Sequence, residues 1–246
     1  MRIAVLTDIH ANREAFSAVL SEIAARSVDR IAILGDIVGY GPDPDWCVER
    51  TMELVAAGAL CVKGNHDAAA VGGAVSMNVV AEEAIRWTRR RLSDQHLRFL
   101  DGLPLTGLID DVLLVHASAN DPGDWIYVTG ANRAMPSFRV TDARVILCGH
   151  VHVPMLVSCD RAGAVAGQRI RIGAPVPLLR SRRWLAVIGS VGQPRDGVPQ
   201  AGYAVLDLAT NELTFHRTAY DTATTARKIR AAGLPEALAA RLMTGD

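Results

Sequence analysis

Short apolar runs alternate with helix-period segments through the first 65 residues of this 246-residue chain, and short strand patterns dominate from residue 112 onward. Together these predict an α/β protein, with βαβ units at its start and a strand-rich second half. Strands apolar on both faces and separated by helices build a parallel sheet covered on both sides.

Residues 2–7 predict the first strand. Residues 12–26 place Phe16, Val19, Leu20 and Ile23 at helical spacing, with Asn12 as the cap. Residues 30–34 predict a second strand, 46–57 a second helix and 59–63 a third strand. Gly72 and Gly73 read as a loop before a helix-rich stretch from 78 to about 100, which Leu103-Pro104-Leu105 ends. The best later strands are 112–115, 144–148, 184–188 and 203–208; residues 212–218 pair with the last as a hairpin. From residue 221, two short helices break at Gly233-Leu234-Pro235. With no internal repeat and no Pro/Gly/Ser-rich linker, residues 1–246 read as one domain.

Charge balances at 26 basic against 26 acidic residues. A sequence-blind nucleic-acid binder needs surplus positive charge to displace counterions, so stable nucleic-acid binding is not expected. Among the basic residues only Lys63 and Lys228 are lysines. Arginine suits phosphate through its planar fork, although codon bias is the simpler cause of its dominance. Cys47, Cys61, Cys148 and Cys159 form no CxxC pair. Cys61 and Cys148 lie in apolar runs, where cysteine acts as a small hydrophobe, and a reducing, cytoplasmic compartment is expected. The N-terminal MRIAVLTDIH lacks the apolar core and cleavage site of a signal peptide. No run approaches the roughly 18 apolar residues of a membrane span.

Five of the seven histidines stand at or just after strand ends, beside Asp, Asn or Gly. Asp8-Ile9-His10 follows the first strand, and in an extended chain residues i and i+2 point the same way, so both side chains are expected to converge on one ion. Gly35-Asp36 follows the second strand and Gly64-Asn65-His66-Asp67 the third. His116 ends the strand at 112–115, and Gly149-His150-Val151-His152 follows the strand at 144–148 with i, i+2 spacing again. Carboxyl ends of parallel strands share one sheet edge, where sites collect. The set mixes carboxylate, imidazole and amide donors with no thiolate, which suits Mn, Fe, Zn, Co or Ni over a structural zinc site. Seven donors exceed the needs of one ion, and two ions bridged by one carboxylate fit the count better. Taken singly, Asp8 and Asp36 could instead be helix caps and Asn65 a left-handed turn residue. His96 and His216 are assigned to structure.

The ordered set Asp8-x-His10, Gly35-Asp36, Gly64-Asn65-His66-Asp67, His116 and Gly149-His150-x-His152 resembles the calcineurin-like metallophosphoesterase superfamily. Any one block is weak; five in order are specific. The resemblance implies a four-layer αββα sandwich, two mixed β-sheets flanked by helices. It implies two divalent ions, manganese first with iron, zinc, nickel or cobalt as alternatives. Asp8, His10 and His152 would hold one ion, Asn65, His116 and His150 the other, and Asp36 would bridge them. It further implies hydrolysis of a phosphate ester by a metal-activated hydroxide without a covalent phospho-enzyme. His66 would be a general acid or stabiliser at the leaving oxygen, and Asp67 would orient its ring and favour its protonated form.

The Ser/Thr phosphatase branch carries G-D-x-V-D-R-G and G-N-H-E. Here Tyr40 and Gly41 stand where that branch has arginine and glycine, Gly39 replaces the second Asp, and Asp67 replaces Glu. The chain therefore resembles small bacterial and archaeal phosphodiesterases more than protein phosphatases. Phosphodiesters are expected ahead of monoesters. The alternatives are a nucleotide or dinucleotide polyphosphate hydrolase, with Tyr40, Trp125 and Tyr127 as base-pocket candidates, and a metal-binding scaffold. Asn65, Tyr40 and Arg195 are the candidate substrate contacts, Arg195 from a Gly-Ser-Val loop at 189–191 and its continuation. Residues 123–136 are expected as a lid or a contact surface.

Overall fold

The computed structural model describes residues 1–246. Two mixed six-stranded sheets stack face to face with helices outside them. In the first sheet, β1 (Arg2–Leu6), β2 (Arg30–Ile33) and β3 (Leu60–Cys61) run parallel, connected through α1 (Arg13–Ala24) and α2 (Pro44–Ala56). On the other side of β1, β11 (Ala201–Asp207), β12 (Glu212–Thr218) and β9 (Pro175–Pro177) add antiparallel. The second sheet has the order β4 (Thr106–Ile109), β5 (Val112–Val115), β6 (Val145–Cys148), β10 (Arg183–Val187), β7 (Met155–Cys159) and β8 (Val165–Gln168). Its centre, β5-β6-β10, is parallel.

Period-2 alternation sorts each central strand between two cores. Ile3 and Val5 face the other sheet together with Val112, Leu114, Val145, Leu147, Trp184 and Ala186. Ala4 and Leu6 face outward onto Phe16 and Val19 of α1 and Cys47 and Val48 of α2. Leu113, Val115, Ile146, Cys148, Leu185 and Val187 face outward onto Ala134 and Phe138 of α6 (Ala131–Arg139). These are the four layers that the resemblance implied. A further cluster joins α4 (Val79–Arg89) to α7 (Thr222–Ala231) and α8 (Glu236–Thr244) around Tyr40.

The helix-rich stretch from 78 to 100 divides into α4 and α5 (Asp94–Asp101), because the Ser93 side chain accepts the His96 N–H and starts a new helix. Asn12 caps α1 by accepting the Ala15 N–H at 3.1 Å. The short α3 (Asn65–Ala70) and α6 carried no readable period, and Pro136 interrupts α6. Strands β4, β8 and β9 are half-exposed edge segments containing Gly or Pro, so their alternation is faint. The buried β7 begins within three residues of His152, which hides its short apolar run. All four cysteines are free and buried.

Candidate metal centre

At the carboxyl ends of β1, β2, β5 and β6 the chain leaves both sheets in tight loops. Asp8, His10, Asp36, His150 and His152 all have left-handed backbones, with φ of 53°, 50°, 53°, 66° and 65°. Such conformations cost L-residues roughly 1–3 kcal/mol each and persist only where the surroundings over-determine them. Backbone bonds do so here. The Asp8 N–H donates to Gly35 O at 3.1 Å, His10 N–H to Asp36 O at 2.9 Å, and Ala11 N–H to Ile37 O at 2.9 Å. The sequence argument from strand alternation is therefore corrected. Asp8 and His10 converge because the loop coils in the left-handed region after β1 has ended, and His150 and His152 do the same after β6.

Two glycines are fixed by this closeness. A Cβ on Gly64 would collide with the Asp36 carboxylate, and one on Gly149 would collide with Thr7 and stand 2.5 Å from Asp8 Oδ2. Neither glycine serves mainly to admit a ligand; each lets the chain pass a carboxylate of its own site.

All seven expected donors meet in one buried cluster. Asp8 Oδ1, His10 and His152 form one group, with His152 Nε2 3.2 Å from Asp8 Oδ1 and 3.1 Å from His10 Nε2. Asp36, His116 and His150 form another, with Asn65 Oδ1 3.0 Å and His150 Nδ1 3.2 Å from His116 Nε2. Asp36 Oδ2 lies between them, 3.7 Å from His10 Nε2 and 3.4 Å from His116 Nε2. Asn65 opens α3 with an ordinary helical backbone, so it is not a left-handed turn residue.

The donor chemistry fits cations. The Nδ1–H groups of His10, His116 and His152 donate to the carbonyls of Val38 (3.2 Å), Leu34 (2.7 Å) and Gln193 (2.6 Å). A carbonyl only accepts, so each Nδ1 carries a proton and each Nε2 faces inward, where it offers a lone pair whenever the ring is neutral. Both carboxylates are split likewise. Asp8 Oδ2 accepts from Thr7 Oγ1 and the His150 N–H, leaving Oδ1 buried with no partner. Asp36 Oδ1 accepts the His66 N–H at 2.8 Å, leaving Oδ2 inward. Converging lone pairs without protons repel one another unless positive charge sits among them.

The ionisation pattern agrees. Burial alone would raise Asp8 and Asp36, but the His152 and His116 rings hold both below the usual carboxylate range. Burial lowers His10 strongly and brings His150 to about 3. Burial also acts to lower His116, yet Asp36 and Asp8 overcome it and raise that ring to about 9. One proton thus substitutes for cationic charge.

His66 packs against this cluster, its ring centroid 4.9 Å from that of His10 and 4.4 Å from that of Tyr40. Burial lowers it to about 4, and its Nδ1 is buried without a partner. Asp67 does not orient it. Asp67 Oδ1 accepts the Ile37 and Val38 N–H groups at 2.9 and 3.3 Å, and Oδ2 accepts the Gly64 N–H at 3.0 Å. The expectation for Asp67 is corrected: it braces the loop carrying Asp36, and the ring beside it gains no carboxylate.

Tyr40 and Arg195 both reach the rim. Tyr40 is buried 4.6 Å from the His10 ring, and the Arg195 guanidinium stands 5.7 Å from the Tyr40 centroid. The segment after His116 places Trp125 edge-on to His116 at 5.9 Å and Tyr127 over His150 at 3.9 Å, so it covers one half of the cluster. Sequence reasoning missed Arg241, which reaches the same rim from α8; no local motif marks it.

A family model described as the calcineurin-like phosphoesterase superfamily domain matches residues 1–211. The chain belongs to that superfamily. Protein MJ0912 of Methanocaldococcus jannaschii is 36% identical over 251 residues, covering 99% of this chain and 98% of the relative. The crystal structure of a metallophosphoesterase from Sphaerobacter thermophilus is similar at TM-score 0.89 and 40% identity, covering 100% of this chain and 99% of that one. Protein PH1004 of Pyrococcus horikoshii shares the fold at TM-score 0.81 and 18% identity, over 100% of this chain and 98% of its own.

Proposed function

We propose that this superfamily member is a dinuclear metal-dependent phosphoesterase, hydrolysing phosphodiesters ahead of monoesters. The observation that carries the reading is the tautomer lock: three imidazoles and two carboxylates each commit one polar atom to the fold and turn the other inward. Asp8, His10 and His152 would hold one ion, Asn65, His116 and His150 a second, and Asp36 Oδ2 would be shared. The mixed oxygen and nitrogen donors favour manganese, with iron, zinc, nickel or cobalt as alternatives. When bound, such ions polarise the phosphate and make a water nucleophilic at neutral pH.

The chain's own residues supply the rest. His66, kept neutral by burial, donates an N–H to the leaving oxygen and stabilises the charge that develops there. Arg195 and Tyr40 contact the ester from the rim, and Asn65 is shared between ion and substrate. A diester carries one negative charge less than a monoester, which suits Tyr40 standing where the protein phosphatases have an arginine. A nucleoside-bearing phosphate is the second reading, favoured by Trp125 and Tyr127 over the His116–His150 side. The four unpaired, buried cysteines support a reducing, cytoplasmic setting.

The test is turnover of a simple aryl phosphodiester and the matching monoester by chelator-stripped protein, with and without manganese. Manganese-dependent hydrolysis, faster for the diester, is expected. Metal-independent turnover, or none with two ions bound by elemental analysis, would overturn the proposal.

A further inference from the structure

Arg195 and Arg241 approach each other at the rim with no carboxylate between them. The Arg195 Nη2 donates to Gln193 Oε1 at 2.9 Å, and the Arg241 Nη1 reaches the same oxygen at 3.5 Å. One neutral amide oxygen thus serves two guanidinium groups. Neither arginine forms an ion pair, and Arg195 Nε is buried with no acceptor. The nearby Asp196 is engaged by Arg217. Burial and then the Arg195 charge push Arg241 below the ordinary arginine range. Two like charges held together without an anion are destabilising unless a ligand supplies one.

The pair is anchored. Lys228 of α7 bridges Glu14 and Asp43 at 2.6 and 2.9 Å, Thr225 Oγ1 bonds Asn12 at 3.1 Å, and the Gly197 N–H donates to Gly245 O at 2.8 Å. These contacts hold α7 and α8 against the loops that bear the metal donors. Arg241 also lines a recess of about 380 Å³ with Tyr40, Asn78, Val79, Val80 and Ala237. Tyr40 is the wall between this recess and His10. Arg241 lies beyond residues 1–211, outside the stretch that carries the superfamily match, on the C-terminal helix α8.

We infer that Arg241 and Arg195 form a second anion subsite, and that the substrate is a phosphate ester whose leaving group carries a further carboxylate or phosphate. That group lies between the two guanidinium groups, with the body of the leaving group against Tyr40 and the apolar wall of the recess. The inference rests on the phosphoesterase reading for its chemistry, but the anion subsite is measurable without it.

The test compares aryl phosphate esters whose ring carries hydrogen, carboxylate or phosphate, each as the monoester and the methyl diester, on manganese-loaded wild type, Arg241→Gln and Arg241→Lys. Arg241→Gln should raise KM at least tenfold for the carboxylate or phosphate series, leave kcat within twofold, and shift KM of the unsubstituted ester less than threefold. Arg241→Lys should recover part of the preference. The series that responds more strongly identifies the anion. In parallel, calorimetric titration of metal-free protein with 4-hydroxybenzoate and phenyl phosphate should show binding weakened at least threefold by Arg241→Gln. Equal loss for all three substituents, or unchanged anion binding in the variant, would overturn the subsite. If no ester is turned over while the titration responds as expected, the phosphoesterase reading fails and the anion subsite stands.

Discussion

The floor and the rim of the site are built by different means. On the floor, every proposed metal donor is buried and most are tied to backbone: Asp8 to the His150 N–H, Asp36 to the His66 N–H, and three imidazoles to carbonyls. On the rim, the Arg195 and Arg241 guanidinium groups share the Gln193 side-chain oxygen as their hydrogen-bond acceptor, while Tyr127 is half-exposed and rests on His150. A floor fixed by backbone keeps its geometry when a side chain changes, so in the proposed enzyme its residues would govern the chemical step. Rim side chains can be altered without disturbing that floor, so in the proposed enzyme they would govern what binds.

The contrast breaks most easily at Asp36. Asp36→Asn keeps the Oδ1 acceptor for the His66 N–H but removes the charge shared by both donor groups. Turnover is expected to fall by about 100-fold or more, ~3 kcal/mol of barrier, while circular dichroism stays native-like. Near-normal kcat with two ions bound would contradict a dinuclear floor. His66→Ala is next. It should slow kcat by roughly 100-fold with manganese content unchanged, since on the proposed reading the ring lies against the donors and would donate toward the leaving oxygen. Loss of metal in this variant would make His66 a ligand instead.

Asp67→Asn separates a brace from an orienting partner. Burial and the Asp36 charge raise the Asp67 carboxyl to about 7, so above that pH Asn retains one oxygen but loses charge-assisted acceptance from three backbone N–H groups, at a cost of about 1–3 kcal/mol. The melting temperature should drop by several degrees and metal should be released more readily. If Asp67 oriented His66, kcat would fall at unchanged stability. The proton on His116 gives a subtler measure. Its pKa is raised to about 9, so the metal-free protein holds that proton at neutral pH. An ion needs the neutral ring, so loading expels the proton, and affinity weakens as pH falls below that value. Manganese titrations near pH 7.5 in buffers of different ionisation enthalpy should report about one proton released, and fewer above pH 9.

The floor was legible in the sequence because its donors sit in short blocks directly after strands, where chain order and sheet geometry bring them to one edge. The central strands were legible for a related reason: Val112–Val115 and Val145–Cys148 are buried on both faces and read as continuous apolar runs. What escaped was set by three-dimensional context. The left-handed backbones of Asp8 and His150 are imposed by bonds to loops 27 to 142 residues away, such as His150 N–H to Asp8 Oδ2, and not by local propensity. Asp67 stands beside His66 in sequence, yet its carboxylate is taken up by the backbone N–H groups of Ile37, Val38 and Gly64 and not by the ring. Arg241 sits in an ordinary amphipathic helix, and only the packing of α8 on α7, and of α7 on α1, brings it to the site.

The smallest expected effect is also the one that sharpens the rim most. Tyr127→Ala removes a ring stacked on His150 at 3.9 Å and tilted by 30°. Aromatic pairs of this kind contribute about 0.5–1.5 kcal/mol, and half-exposure trims the value. His150 keeps its backbone anchor through the Asp8 bond, so manganese content and kcat for a plain aryl ester should hold within about twofold. KM carries the information. If the ring only shields the floor from water, KM for a plain aryl ester and for a nucleoside-bearing ester should shift equally. If Tyr127 stacks on a base, KM for the nucleoside ester should rise about three- to tenfold more than for the aryl ester. An unequal shift would place the nucleoside on the His150 side of the floor, against Tyr127, and leave the Arg195–Arg241 pair free to take a second anion of the same substrate.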